Sequence, residues 1–363
     1  MTSTAWRVTI TPAVALGLLA TVWGHELPPV LVAVVALVLI AAVQVAVYHA
    51  EVVAHRVGEP FGSLVLAIAV TVIEVGLILS LMASGDPEAA SLPRDTVFAA
   101  VMITCNGVIG LCLMVGALRH RVVAFNAEGS SGALATVAAL ATLCLVLPSV
   151  TTSSPGPTFS GAQLGFAAVM SLALYGVYVF VQTVRHRDYF LPVAPSSRDD
   201  TKSGEEHLAP PSNRTAVASL ALLVISLVAV VGLAKTEAGA IKAGVRAVGA
   251  PLTAVGVAIA LVVLLPETLA AVRAARRDRL QTSFNLALGS ALASIGLTIP
   301  AIAVATIWLP MPLVLGLSAT EMILLALSML IGTLTVVAGR ATVLQGAVHL
   351  LIFASFLFTA VAP

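Results

Sequence analysis

The chain has 363 residues, of which 59% are hydrophobic and only 10% are charged, and its formal net charge is +1. A soluble domain keeps about a quarter of its residues charged because its surface faces water. The composition therefore excludes an ordinary soluble protein, and the near-zero net charge gives no attraction to nucleic acid. No lysine follows a glycine, so the usual phosphate-binding motif for ATP hydrolysis is absent.

Long apolar runs dominate the chain, and about 18–20 apolar residues suffice to cross a hydrocarbon core. Continuous runs, rather than short alternating segments, favour helices over a β-barrel. We predict an all-α polytopic membrane protein with about eleven transmembrane helices and no removed signal peptide. The predicted spans are 7–24, 29–54, 61–84, 95–117, 131–150, 160–184, 214–234, 246–272, 280–308, 313–337 and 341–362.

The stretch 185–213 is polar and rich in proline and serine, which is typical of a flexible linker. Either a plain tether or a regulatory segment fits this composition. If the N-terminus is cytoplasmic, most arginines and lysines, including the linker's, fall in cytoplasmic loops. The positive-inside rule therefore predicts a cytoplasmic N-terminus and an external C-terminus.

An internal repeat divides the chain. We predict an N-terminal helix in 1–28, a first five-helix repeat in 29–184 and a second in 214–363. Gly58-Glu59-Pro60 and Ile109-Gly110-Leu111 in the first have counterparts in Gly249-Ala250-Pro251 and Ile295-Gly296-Leu297 in the second. Five is an odd number, so the halves would enter the membrane in opposite orientations, as in many secondary transporters.

Acidic residues within the predicted spans carry the functional signal, because each costs a few kcal/mol in lipid and usually marks an ion or proton path. Glu74 has no basic residue in its own helix, so it is either functional or a neutral, hydrogen-bonded carboxyl. Glu267 follows Pro266, which frees the carbonyl near Val262. Freed carbonyls beside a carboxylate suit a hard cation, although Pro266 alone also fits a packing kink.

The repeat places Glu74 and Glu267 in one site. Two carboxylates in surroundings of low polarity must be neutralised by protons or by a cation. That competition is the basis of a proton-coupled antiporter. Weaker candidates fit either a role along the ion pathway or a purely structural role in packing or at the membrane interface. They are Asn106, Ser290, Glu51, its repeat counterpart Glu237, and Glu321.

Two stretches, 58–82 and 264–301, resemble the α-repeats of the calcium/cation antiporter superfamily in its cation/proton exchanger branch. The α-repeats would extend over 58–117 and 246–308. The resemblance implies that Glu74 and Glu267 are the cation-binding (metal-ligating) glutamates and that Glu51 is the acidic residue preceding the first repeat. The Gly-Asn that precedes each glutamate in the wider family is replaced here by Val70-Thr71 and Val263-Leu264, so Thr71 offers a hydroxyl where the family has an amide.

We therefore expect a cation/proton antiporter in a bacterial-type inner membrane. It would have no cofactor, the lipid bilayer and inorganic cations as partners, and Ca²⁺, Na⁺ or K⁺ exchanged for H⁺. A passive cation channel is the alternative, since it would need the same acidic path without proton coupling. A membrane enzyme is disfavoured because no nucleophile–base pair or zinc-ligand spacing occurs.

Overall fold

The computed structural model describes residues 3–25, 27–58, 61–83, 87–191, 211–247, 249, 251, 253–308 and 313–362. Two parts of the sequence predictions lie outside these residues. One is most of the predicted linker, 192–210, and the other comprises Glu59, Pro60 and Ala250 of the repeat motifs.

The described chain is almost entirely helical. The helices before the linker are α1 (Ser3–Val22), α2 (Pro29–Val57), α3 (Phe61–Met82), α4 (Leu92–Met102), α5 (Ile109–His120), α6 (Ala127–Ala141), α7 (Leu147–Val150) and α8 (Gly161–Phe180). Those after it are α9 (Asn213–Ala247), α10 (Thr253–Arg276), α11 (Leu280–Ala305), α12 (Ala319–Val337) and α13 (Val343–Val361). Single π-helical turns join α4 to α5 and α6 to α7, and a third extends α8: Ile103–Val108, Thr142–Val146 and Val181–Arg185. The short strands β1 (Val123–Ala124) and β2 (Arg340–Ala341) pair antiparallel.

Within the described residues, ten helical segments are long and apolar enough to cross a membrane, and α1 contains a shorter apolar segment, Arg7–Val22. The predicted all-α polytopic class is confirmed, and the helix count is close to the predicted eleven. The largest boundary difference is in α9, which continues to Ala247 instead of ending at 234. The hydropathy of the sequence falls at Lys235 and Glu237, which is why the predicted span ends before them. In the structure the helix continues, and the ammonium of Lys235 lies 5.3 Å from the centre of the Trp23 ring. This contact and the burial of Glu237 keep that turn packed.

Buried apolar side chains form two clusters. One is built mainly by α1, α2, α3 and α9, and the other mainly by α4–α6, α8 and α11–α13. Helix α10 belongs to both, because Val255, Ile259 and Val263 face the first cluster while Ala260 and Leu264 face the second. Glu74 and Glu267 lie where these clusters meet.

Small residues bring α5 and α13 close together. A Cβ atom added at Gly346 would lie 2.7 Å from the Met114 backbone nitrogen and 3.1 Å from the Gly110 carbonyl oxygen. We therefore expect Gly346→Val to destabilise the protein by about 1–3 kcal/mol or more, because neither backbone can yield without separating the helices. Thermal melting in detergent measures this. Gly165→Val is the matched control, since an added Cβ at Gly165 has nothing within 4 Å; equal melting temperatures for the two variants would contradict the prediction.

Candidate functional site

A cavity of about 610 Å³ lies between the two hydrophobic clusters. It extends from the C-terminal end of α2 to the middle of α3, α10 and α11, and α8 forms another wall. Its polar lining residues are Glu51, His55, Thr71, Glu74, Tyr175, Tyr178, Gln182, Glu267, Thr282, Asn285, Ser290 and Ser294. The structure thus brings both sequence-predicted glutamates to one cavity, together with Glu51, Thr71 and Ser290.

Glu74 lies at the inner end of this cavity and is only 3% exposed. Its Oε1 accepts a 2.7 Å hydrogen bond from the Ser294 hydroxyl of α11. The Thr298 hydroxyl, one helical turn further along α11, also faces this carboxyl group, but it does not reach hydrogen-bonding geometry. The first-half carboxylate is therefore oriented by hydroxyl groups of the second half.

Glu267 lines the same cavity from α10. The Ser290 hydroxyl of α11 lies beside it. Its Oε2 atom is buried and has no hydrogen-bond partner among the described residues. A buried carboxylate oxygen without a partner is costly, so this atom favours a proton or a cation as its partner.

The electrostatics of the cavity are those of an acidic site. Glu51 and Glu74 both act electrostatically on Glu267, and none of the described residues lining the cavity is lysine or arginine. Arg273, two turns beyond Glu267 on α10, attracts Glu51 near the cavity mouth. Deeper in the cavity, the like-charged carboxylates repel one another unless they bind protons or a cation.

On the side of Glu74 and Glu267 that faces away from the cavity, α3, α10 and α11 are tightly packed through apolar side chains. Their side chains there belong to the first hydrophobic cluster and are at most 8% exposed: Leu77, Ile78 and Leu81 of α3, Val255 and Ile259 of α10, and Ile302 of α11. In the described part of the chain, the cavity thus reaches the glutamates from one side of the helix bundle.

Three of the predicted pathway residues lie away from the cavity. Asn106 is fully buried in the π-helical turn, where its side chain bonds to Ser328 (2.8 Å) and to His349 (3.2 Å). Glu237 is 1% exposed, and its carboxyl group contacts the α2 backbone at Ala36. Glu321 caps the start of α12, where its Oε2 accepts a 2.8 Å hydrogen bond from the Ser318 backbone N–H.

Sequence reasoning did not single out the wall formed by α8. Tyr175 and Tyr178 are each 6% exposed and line the cavity, and Gly296 leaves room for the Tyr175 ring, because an added Cβ there would lie 2.7 Å from Tyr175 Cβ. Two tyrosines three residues apart share one face of a helix, which is a usable signal in an otherwise aliphatic segment. The amide of Gln44, midway along α2, was also missed.

No group of three or more His, Cys, Asp or Glu side chains suited to a resident metal ion occurs among the described residues. Oxygen atoms line the cavity instead: carboxylates, hydroxyls and amides on a multi-pass helical fold. Oxygen atoms of this kind suit inorganic cations, and the fold is that of a multi-pass membrane protein.

The chain belongs to the sodium/calcium exchanger protein family, whose pattern matches residues 27–184 and 218–362. It is 35% identical over 357 residues to the sodium-potassium/proton antiporter ChaA of Escherichia coli, covering 97% of this chain and 95% of that protein. It is 47% identical over 343 residues to y4hA of Sinorhizobium fredii, a protein named only provisionally as an ionic transporter, covering 94% of this chain and 92% of the other.

Solved structures show the same fold. Native YfkE superposes with a TM-score of 0.70 at 18% identity, covering 98% of this chain and all (100%) of that one. The H⁺/Ca²⁺ exchanger CAX also gives a TM-score of 0.70, at 15% identity, covering 97% of this chain and 86% of that one. Family members are transporters rather than enzymes, which agrees with the function class predicted from the sequence.

Proposed function

We propose that this protein is a cation/proton antiporter in which Glu74 and Glu267 bind either the transported cation or protons. The observation that carries the proposal is the pair of carboxyl groups in one cavity without a lysine or arginine among its described lining residues. The unpartnered Oε2 of Glu267 supports it further. A cation that enters must displace protons, and protons that return must displace the cation, so exchange follows from competition for one site.

The cavity mouth faces the cytoplasm in this proposal. Arginines are concentrated on that side, as Arg56 follows Glu51 on α2 and Arg273, Arg276, Arg277 and Arg279 follow Glu267 around the end of α10. The positive-inside rule assigns such a side to the cytoplasm. The N-terminus is then cytoplasmic, the C-terminus external, and the protein lies in a bacterial plasma membrane.

Alternating access, rather than a passive channel, is supported by the dry packing beyond the glutamates. A channel needs a continuous hydrated pore, whereas Ile78 and Ile259 are buried there. In the proposed cycle the halves act as inverted repeats, and the site opens to one side at a time. The passive channel stays as the competing proposal, and its test is flux that ignores the pH gradient.

The transported cation is Ca²⁺, Na⁺ or K⁺. Three relatives carry the cation in their names: sodium and potassium with protons for ChaA, and calcium with protons for CAX and for the selenium-substituted form of YfkE.

Thr71 lines the cavity near Glu74 and offers a hydroxyl group where the wider family has an amide. One Ca²⁺ for two protons would be electroneutral, and each pH unit would then supply about 1.4 kcal/mol per proton.

Inside-out membrane vesicles with an acidic interior test the proposal. The cytoplasmic face is then outside, so cations added to the medium reach the cavity directly. With the membrane potential clamped, adding Ca²⁺, Na⁺ or K⁺ is expected to collapse the pH gradient, as followed by a pH-sensitive dye. Cation entry without any proton movement would instead identify the channel.

The hydrogen bond from Ser294 to Glu74 yields a further prediction. Ser294→Ala removes a hydroxyl that stabilises the ionised carboxylate, so the proton is held more tightly and the cation competes less well. We expect the apparent KM for the cation to rise about tenfold or more, since a hydrogen bond to a charged group contributes about 1.5–3 kcal/mol. Initial uptake rates at several cation concentrations measure it.

Two variants accompany this measurement. Ser294→Thr keeps the hydroxyl and should stay near the wild-type KM. Ser283→Ala removes a buried hydroxyl of the same helix that bonds to the Ala271 carbonyl at 2.7 Å and lies outside the cavity. A KM increase of the same size in Ser283→Ala would show that the effect of Ser294→Ala is only structural.

A further inference from the structure

Helix α10 has a gap in its backbone hydrogen bonding, and another helix fills it. Pro266 has no N–H, so the Val262 carbonyl, four residues earlier, lacks its donor within the helix. In the structure the side chain of Gln44, on α2, supplies that donor: its Nε2 lies 3.3 Å from the Val262 oxygen. A carbonyl freed one turn before Glu267 is thus covered by an amide from a different helix.

This hydrogen bond stands at the inner end of the cavity. Gln44 lies two helical turns before Glu51 on the same face of α2, and Glu51 lines the cavity whereas Gln44 does not. On α10, Val263 and Glu267 line the cavity, and Ile259, one turn before Val263, is buried in the dry half. The Gln44–Val262 bond therefore lies at the boundary between the acidic cavity and the sealed side.

The two helices that it joins differ in their packing. α2 packs in the first hydrophobic cluster with α1 and α9, whereas α10 also packs into the second cluster. A second long hydrogen bond, from Ser80 on α3 to the Val231 carbonyl of α9 (3.3 Å), has a stronger alternative, because Ser80 also donates to Gly76 at 2.6 Å. The Val262 carbonyl has lost its usual donor four residues on in its own helix, so separating α2 from α10 removes the donor that replaces it.

We propose that Gln44 is a positioning residue: its amide holds α2 against α10 while the cavity is open on the Glu51 side, and it shields the Val262 carbonyl from the ion path. When α2 moves away from α10, the bond breaks, the seal beyond Glu267 opens, and the carbonyl faces the path from the opposite side. This inference rests on the proposed exchange function, since it assigns Gln44 to one of the two states of that cycle.

Cysteine labelling of the full-length protein in proteoliposomes tests the proposal without requiring transport. Ile259→Cys places a thiol in the sealed half, and the native cysteines Cys105, Cys112 and Cys144 are buried. With an impermeant maleimide added on the side opposite the cavity mouth, Gln44→Met is expected to raise the labelling rate of this thiol about three- to tenfold. That is the shift in population expected from losing one interhelical hydrogen bond. The matched control is Ser226→Ala, which removes a buried hydroxyl bonded within α9 at 2.8 Å and should leave the rate unchanged.

A double-mutant cycle separates this role from general loosening. Pro266→Ala restores an N–H that can bond to Val262 within α10, so it makes Gln44 redundant and should also raise labelling. Gln44→Met should then add little in the Pro266→Ala background. Additive effects would contradict a shared hydrogen bond. If Gln44→Met fails to fold, Pro266→Ala alone decides: unchanged labelling overturns the proposal.

Transport supplies a second readout. A shift toward the opposite state lowers the fraction of protein that offers its site on the cavity side, so Gln44→Met should also raise the apparent KM there and change the maximal rate less. The labelling increase and the KM increase multiply to the single change of about three- to tenfold in the ratio of the two states, so the KM rises least where labelling rises most. If Gln44→Met shows the labelling rate and the KM of the wild type, and exchange still depends on Glu74, the role of Gln44 is overturned but the proposed function is not. Absence of proton-coupled exchange in the wild type would overturn the proposed function, whatever the labelling shows.

Discussion

Replacing either Glu74 or Glu267 with glutamine is expected to abolish cation/proton exchange, with the rate falling about 100-fold or more. A glutamine is nearly isosteric but carries no charge and no exchangeable carboxyl proton. The cation then loses one of two buried negative partners, and losing one member of a buried charge pair costs about 2–5 kcal/mol. The proton loses its binding site as well, so both halves of the exchange fail together.

Dye-monitored collapse of the pH gradient in inside-out vesicles measures this loss for Ca²⁺, Na⁺ and K⁺ separately. Glu321→Gln is the matched control. Glu321 caps α12 through its Oε2, and glutamine fills the same capping position, so exchange should stay at the wild-type rate. Full exchange persisting in both cavity variants would disprove the two-carboxylate mechanism. Loss of exchange in Glu321→Gln as well would point to a general effect of removing negative charge.

The apparent affinity for the cation is expected to fall as the pH on the cavity side falls. Protons and the cation compete for Glu74 and Glu267, so acid conditions favour the protonated site and alkaline conditions free it. Where the groups titrate, each competing proton changes the apparent KM by up to about tenfold per pH unit. Coupled carboxyl groups titrate as a pair, so two protons would give up to about a hundredfold.

Initial uptake of radioactive calcium or sodium, at several pH values on the cavity side and a fixed pH difference across the membrane, measures this slope. At high pH the KM should reach a plateau, because both carboxylates are then ionised. The slope also reports how many protons compete with one bound cation. A KM independent of pH, with flux retained, is the result that a passive channel would give.

Much of the fold and part of the site followed from local chemistry. The cost of a carboxylate in lipid is a property of the residue and its immediate neighbours, so Glu74 and Glu267 stood out in apolar runs. Their meeting in one cavity was expected from the predicted repeat, which rests on short sequence matches. The end of α9 was placed too early because hydropathy falls at Lys235, and the stacking of that side chain on Trp23 cannot be read from the helix itself.

Asn106 and Ser290 illustrate the limit. Both are small polar residues in the middle of a helix, and the sequence offered a pathway or a packing role for each. In the structure Ser290 lies beside Glu267 on the cavity, whereas Asn106 bonds to Ser328 and His349 inside the second hydrophobic cluster. The rotation of each helix about its axis and the identity of its neighbour separate the two cases, and neither is encoded within one segment.

Pro266 shows the same division in a single feature. That its ring leaves the Val262 carbonyl without a donor follows from covalent chemistry and needs no structure. Which group covers that carbonyl depends on the helix lying opposite, and Gln44 is 218 positions away along the chain. Membrane class, helix content and the two glutamates were therefore readable from residue chemistry, because burial of charge and loss of a donor are local costs. The closed end of the cavity and the partner of each polar group came only from packing, because they arise where distant helices meet.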